Sequence, residues 1–358
     1  MQGDDRVLEK FKRAQASLVL QMSDLPLQAI SSMVDAGAID IQPKYQRRER
    51  WSVEKQSALI ESFLINIPVP PVYLSEDEYG QYSVIDGKQR ITAIHRFLSG
   101  GFSLTGLDTL QELTGRTFKQ LPAELRQTLT VRPYLRVVTL LKQSDNELKY
   151  EVFRRLNTGG ERLEPQEVRN VIFRGPINDL IYSLAERPFL KAQLKIVNNK
   201  SAAYASMTDA EYVLRFFALR ESWNSFSGSL ARTMDQFMQN KDGASVEERQ
   251  ALADAFLRSL LGCEMIWGSF AFKRPTGEET WRDQTIAGMY DAQMVAVDSL
   301  SEDELGNAIT HRDQVIQKTQ DEFLTDALLE KSVRVATNTT SSVKYRITKL
   351  QQILRSVS

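Results

Sequence analysis

Cysteine is almost missing from this chain: Cys263 is the only one in 358 residues. A single thiol excludes an internal disulfide and a cysteine-based zinc site. Histidine is nearly as scarce, with His95 and His311 far apart and neither beside a second histidine. Zinc hydrolases and histidine-based metal nucleases gather such ligands in clusters, so that chemistry lacks its raw material here. No apolar run approaches the length of a membrane span; residues 131–141 are too few and carry Arg132 and Arg136. The first residues, Met1-Gln2-Gly3-Asp4-Asp5-Arg6, lack the basic-then-apolar pattern of a secretory leader. Together with the lone cysteine this makes a reduced, cytoplasmic setting the expectation. Charge of one sign is lacking too, since 45 Lys+Arg against 46 Asp+Glu leave a net charge of −1. A dedicated duplex binder is more often basic overall.

What is present has an ordinary globular composition, 42% hydrophobic and 25% charged, in a length that suits two domains. Up to about Leu141 short strand-like and helix-like pieces alternate. Leu25 to Ile30 opens a helical segment ending near Gly37, and Ile39-Asp40-Ile41 reads as a brief strand. Ser52 is placed to cap a helix over 53–64, with Glu54 in its first turn and Leu59/Phe63 and Ile60/Leu64 at i,i+4 spacing. Residues 70–74 and 81–85 read as strands joined by a turn over 76–80. Ile91, Ile94, Phe97 and Leu98 then recur at helical spacing until Gly100. Residues 131–141 read as a buried strand. From Ser144 onward the pattern is helical, with Ser144/Glu147, Thr208/Glu211, Ser245/Glu248 and Ser301/Glu304 at capping-box spacing. The expected organisation is an α+β domain over 20–143 followed by an all-helical domain over 144–358. The basic residues Lys344, Arg346, Lys349 and Arg355 read as a solvated helix face. The aromatic stretches at 212–217 and 267–272 read as core.

Three polar clusters carry candidate chemistry. Asp86-Gly87-Lys88-Gln89-Arg90 stands where a strand hands over to a helix. Such a junction exposes N–H groups and the positive end of the helix dipole, a ready anion site. Arg90, expected on the solvent side of the helix start, adds a planar donor fork. Lys88 adds a mobile charge, and Asp86 a carboxylate able to orient water or a metal. A solvated β–turn–α connection accounts for the same charges. Tyr45-Gln46-Arg47 offers a stacking face, an amide and a guanidinium, the groups that hold a base and its phosphates, or else a surface loop. Arg154, Arg155, Leu156 and Asn157 lead into Thr158-Gly159-Gly160, a helix-ending turn whose bare N–H groups can also form an anion nest. His95 sits within a helix and reads as a packed or surface residue.

The set of Tyr45-Gln46-Arg47, Trp51, Leu59-Ile60-Glu61-Ser62, Ile67-Pro68-Val69-Pro70, the 84–90 segment and the 153–160 segment resembles the N-terminal domain of GmrSD-type restriction enzymes. That domain is of the ParB/sulfiredoxin-like superfamily, which implies a small mixed sheet with helices. The resemblance continues through Leu163, residues 166–170 and residues 209–217. It implies a nucleotide-handling site on the Asp-Gly-x-x-Arg turn, often with NTP hydrolysis, in defence against modified or foreign DNA. Carried over, Asp86, Gly87, Gln89 and Arg90 would line the phosphates of an NTP bound with Mg²⁺, Asp86 serving the metal. Asp86, Gln89 and Arg90 would be catalytic. Tyr45, Gln46 and Arg47 would flank the phosphates, with Arg155 and Asn157 closing the site. Lys88 departs from the glutamine usual in the family and adds positive charge. Many relatives carry a further HNH nuclease domain, and His311 alone, in a helical stretch, cannot supply one. The expectation is therefore a nucleotide-binding sensor or regulatory component of a restriction-type system, an NTP hydrolase in its enzyme reading. Its implied partners are a nucleotide and, beyond it, DNA or a partner nuclease, with a homo-oligomer left open. Two rivals are a non-catalytic DNA- or partner-binding module and a metal-dependent nuclease using Asp86 and Glu61.

Overall fold

A computed structural model describes residues 7–9, 11, 12, 15, 17–41, 51–144, 148, 149, 152, 155, 156, 165–198, 201–277, 280–335 and 337–357. The chain divides into two compact units, Met1–Ile172 and Phe173–Ser358. The first is a mixed α+β unit and the second is helical apart from one small hairpin.

The first unit is built on a five-stranded sheet in the order β1-β5-β3-β4-β2. Its strands are β1 (Leu20–Pro26), β2 (Ile39–Asp40), β3 (Val72–Glu78), β4 (Gln81–Asp86) and β5 (Tyr134–Leu140). β3 lies at the centre, parallel to β5 and antiparallel to β4, while β1 pairs antiparallel with β5 from Leu20↔Leu140 to Pro26↔Tyr134. Side chains alternate between faces with period two. Val72, Leu74, Val84, Leu135 and Val137 pack toward α1 (Leu27–Asp35), α2 (Val53–Leu64) and α3 (Lys88–Leu98). Leu27, Ile30, Leu59, Ile60, Phe63, Ile91, Ile94 and Phe97 answer from those helices. Burying each such side chain contributes about 1.5–3 kcal/mol relative to exposure. Ile85 and Leu140 point to the other face. There Val168 and Ile172 of the helix Pro165–Ile172 join them, with Leu156 packed alongside.

Several sequence expectations are met in detail. Ser52 accepts the Lys55 amide at the start of α2, and Gly100 follows the end of α3 at φ +78. Others are corrected. β1 extends through Leu25 and Pro26, which the helical reading had absorbed; its residues are largely exposed, and the pairing with β5 rather than apolar content makes it a strand. Asp24 and Arg136 meet across that pairing at 3.0 Å. The strand expected from Pro70 starts at Val72 and runs to Glu78, so the turn shrinks to Tyr79-Gly80. Glu76 makes this turn by accepting the Gly80 amide through its own carboxylate. Val131 closes a helix (Ala123–Val131) rather than opening β5. His95 is packed, with Nδ1 3.2 Å from the Ser31 hydroxyl.

In the second unit, Ser245 and Ser301 form full capping boxes with Glu248 and Glu304. Thr208 does not: its helix, Thr208–Ser222, is entered from Met207 at φ +55 with no side-chain cap. The core gathers Phe216, Phe217, Phe256, Trp267, Phe272 and Tyr290 around the buried helix Ala287–Asp298. The solvated-face reading of the last helix, Thr340–Arg355, fails at Arg346, which is 0% exposed. Its guanidinium donates to Asp291 Oδ2 at 2.7 Å, and Arg215 grips the same carboxylate at 3.0 and 2.7 Å. Lys349 and Arg355 are likewise paired, with Glu322 and Asp326 and with Glu304. Among the described residues no helix is long and apolar enough to cross a membrane.

Candidate functional site

The turn from β4 into α3 is organised by Gly87. Its φ of +96 is left-handed, and a Cβ there would lie 2.4 Å from Val72 Cγ1. Only glycine meets both conditions. The sharp turn starts α3 immediately after Asp86, the last residue of β4. The Ile91 amide is the first to find an intrahelical acceptor, the Gly87 carbonyl at 2.9 Å. The main-chain N–H groups of Lys88, Gln89 and Arg90 therefore lie in the helix's first turn, where intrahelical acceptors are lacking.

Arg90 is not a solvent-facing fork. Its side chain is only 12% exposed, and Nη1 donates to the carbonyls of Pro70 and Pro71 at 2.6 and 2.9 Å. Nη2 donates to Asp86 Oδ2 at 2.6 Å. The guanidinium thus ties the chain ahead of β3 to the end of β4 and orients Asp86. Asp86 itself remains 37% exposed. Lys88 and Gln89 are half-buried.

Gln89 reaches a partner that the sequence did not announce. Its Oε1 accepts the Trp51 amide at 3.1 Å, while Gln56 Nε2 donates to the Trp51 carbonyl at 2.7 Å. Arg96, two turns further along α3, donates to Gln56 Oε1 at 2.9 Å. Two helices therefore hold the main chain of Trp51 from both sides, next to the turn. Neither glutamine carries a sequence signal that separates this role from a surface position.

The remaining candidates are distributed as follows. Tyr45, Gln46, Arg47 and Asn157 lie outside the described residues. Arg155 is exposed, next to Leu156, which packs with the cluster containing Ile85, the residue before Asp86. Glu61 is committed elsewhere: it is buried and accepts the amides of Asp108, Thr109 and Leu110 at 3.1, 2.8 and 2.7 Å. Burial pushes its pKa up, and the three amides outweigh this, leaving it below the ordinary value. Its role is to anchor a loop, which removes the second carboxylate from the nuclease reading. Among the described residues no group of three or more His, Cys, Asp or Glu side chains is arranged to hold a metal.

Residues 30–174 match the family model of the GmrSD restriction endonuclease, N-terminal domain. The match spans the 86–90 turn. No curated protein and no solved structure matches the chain.

Proposed function

We propose that the 86–90 turn binds and hydrolyses a nucleoside triphosphate, as the sensor or regulatory component of a restriction-type defence system. One observation carries the reading: a left-handed glycine starts a helix directly behind a half-exposed aspartate that an arginine already orients. The first-turn amides of α3 and Lys88 are the phosphate contacts in this proposal. Arg90 acts mainly by holding Asp86 and the 70–71 backbone in place. Asp86 is the only carboxylate of the turn. This suits Mg²⁺, which commonly takes one or two protein carboxylates and completes its shell with phosphate oxygens and water. When bound, the ion would neutralise charge developing on the phosphates. The residues at 45–47, 155 and 157 enter the proposal through the family resemblance alone.

The test is calorimetric titration with each NTP, with and without Mg²⁺, followed by phosphate release. Asp86→Asn removes charge at constant size. Nucleotide binding should persist, or tighten without Mg²⁺, while turnover drops by a factor of about 10² or more. Wild-type protein that binds no NTP at millimolar concentration would sink the site. Equal turnover in Asp86→Asn and wild type would reduce Asp86 to a turn residue.

A further inference from the structure

The small hairpin of the second unit sets two arginines against each other. Its strands, Pro275–Gly277 and Thr280–Trp281, pair Pro275 with Trp281, and the Arg282 amide donates to the Arg274 carbonyl at 2.9 Å. Arg274 and Arg282 are thus the next pair outward at the open end. Like charges placed opposite across strands are destabilising. A third arginine, Arg334, ends the helix Ala327–Arg334, and its charge also acts on Arg274.

Among the described residues compensation is thin. Arg334 is paired with Glu330, but among the described residues no hydrogen bond or ion pair involves the Arg282 side chain. Among the described residues Arg274 Nη1 reaches only the Pro275 carbonyl, at 3.5 Å, and its buried Nε has no partner. Burial, then the charges of Arg334 and Arg282, hold the Arg274 guanidinium below its ordinary pKa, against a weaker pull from Glu330. The nearby Asp283 is already held by Lys195 and Lys273, at 2.7 and 2.8 Å. Beside Arg282, Trp281 stacks on Phe270 with centroids 5.1 Å apart and rings inclined 23°. Glu278 and Glu279 lie outside the described residues.

We infer that Arg274 and Arg282 form a receptor for phosphate groups and that a polynucleotide backbone supplies them. A bound phosphodiester relieves the mutual repulsion, meets the exposed Arg282 guanidinium, for which the described residues supply no partner, and brings bases near a partly exposed aromatic pair. Arginine beside an aromatic face is the combination that polynucleotide-binding surfaces use. The near-neutral charge of the whole chain does not oppose this, because the positive charge is local. The site stands independently of the nucleotide site in the first unit.

Fluorescence anisotropy with a labelled 20-nucleotide single strand and the matching duplex, in 50 to 200 mM NaCl, tests the proposal. Wild-type protein should bind one of them. Arg282→Gln and Arg274→Gln should each weaken binding about tenfold and lower the salt slope by about one. The melting temperature of the ligand-free variants should stay the same or rise, because a repulsion has been removed. Asp86→Asn should bind the oligonucleotide as wild type does. Unchanged affinity in both arginine variants, or no binding by wild type at 50 mM salt, overturns the proposal. Complete competition by millimolar inorganic phosphate or NTP overturns the polynucleotide as the source. Should Arg282→Gln lose stability as well as binding, Arg282→Lys decides: restored binding supports a charge-recognising site, and continued loss refutes it.

Discussion

Arg90 and Asp86 meet at 2.6 Å across Gly87, so one of the turn's two cations is neutralised by the turn's own carboxylate. The pair is partly buried and shares its guanidinium with the Pro70 and Pro71 carbonyls. A surface ion pair alone contributes little to stability, but here three acceptors lose their donor together. Arg90→Ala should therefore lower the free energy of unfolding by about 2–3 kcal/mol, read as a lower urea midpoint. An unchanged midpoint would return Arg90 to the role of a solvent-facing fork.

Gly87→Ala combines two penalties. The left-handed backbone disfavours any L side chain by about 1–2 kcal/mol. The new Cβ must also displace Val72 in the core, a further 1–3 kcal/mol. A loss of about 2–5 kcal/mol in chemical denaturation is expected, and Val72→Ala in the same chain should recover the steric part. A second variant no better than the first would mean that the strain is entirely in the backbone.

Asp291 holds two buried arginines, Arg215 and Arg346, and among the described residues Arg346 Nε still has no partner. Asp291→Ala leaves both guanidinium charges uncompensated in the core and should cost about 3–5 kcal/mol. Replacing all three residues by Met or Leu should recover most of that loss, since the desolvation of the ions disappears with them. Thermal melts of the single and triple variants separate these outcomes. A triple variant as unstable as the single one would show that packing, not charge, governs the site.

Asp209 is buried in the first turn of the helix Thr208–Ser222, and desolvation raises its pKa from 3.8 to about 6. Its contact with the Ala210 amide and the charge of Lys191 oppose the shift, while Glu186 adds to it. The folded state thus binds the proton more tightly than the unfolded chain, so this group's contribution to stability falls as pH rises between about 4 and 6. Asp209→Asn should raise the melting temperature at pH 7.5, by about 2–3 kcal/mol of stability. The difference should close as pH falls through 6 toward 4. A gap that stays constant across this range would show that the carboxyl is not titrating there.

Local chemistry was the legible part of this sequence. Ser52, Ser245 and Ser301 announce their helices because a cap needs only a side chain and an amide three residues on. Gly87 and Gly100 are readable for the same reason. What stayed hidden depends on distant partners. β1 is a strand because β5 lies beside it, and its exposed residues carry no burial pattern. Arg346 looks like one of several basic residues on a helix until Asp291, 55 positions away, is brought beneath it. Arg90 was legible as part of a turn, but its use was not, since Pro70 and Pro71 approach it only through the folding of β3. The mixed sheet followed by helices was readable from the change in periodicity alone.

The Ser144 hydroxyl accepts the Val19 amide at 3.0 Å and lies 3.1 Å from the Val19 carbonyl, to which it donates, just where β1 and β5 run side by side. These contacts join residues 125 positions apart, so the sheet is completed by the last of its strands to leave the ribosome. At about 5–20 residues per second, β1 waits on the order of ten seconds for β5. During that interval the backbone N–H and C=O groups that β1 later turns toward β5 have no partner strand. The nascent chain is then most open to mispairing, and a slower-translated stretch between Asp86 and Tyr134 would lengthen that exposure without changing a single contact of the finished protein.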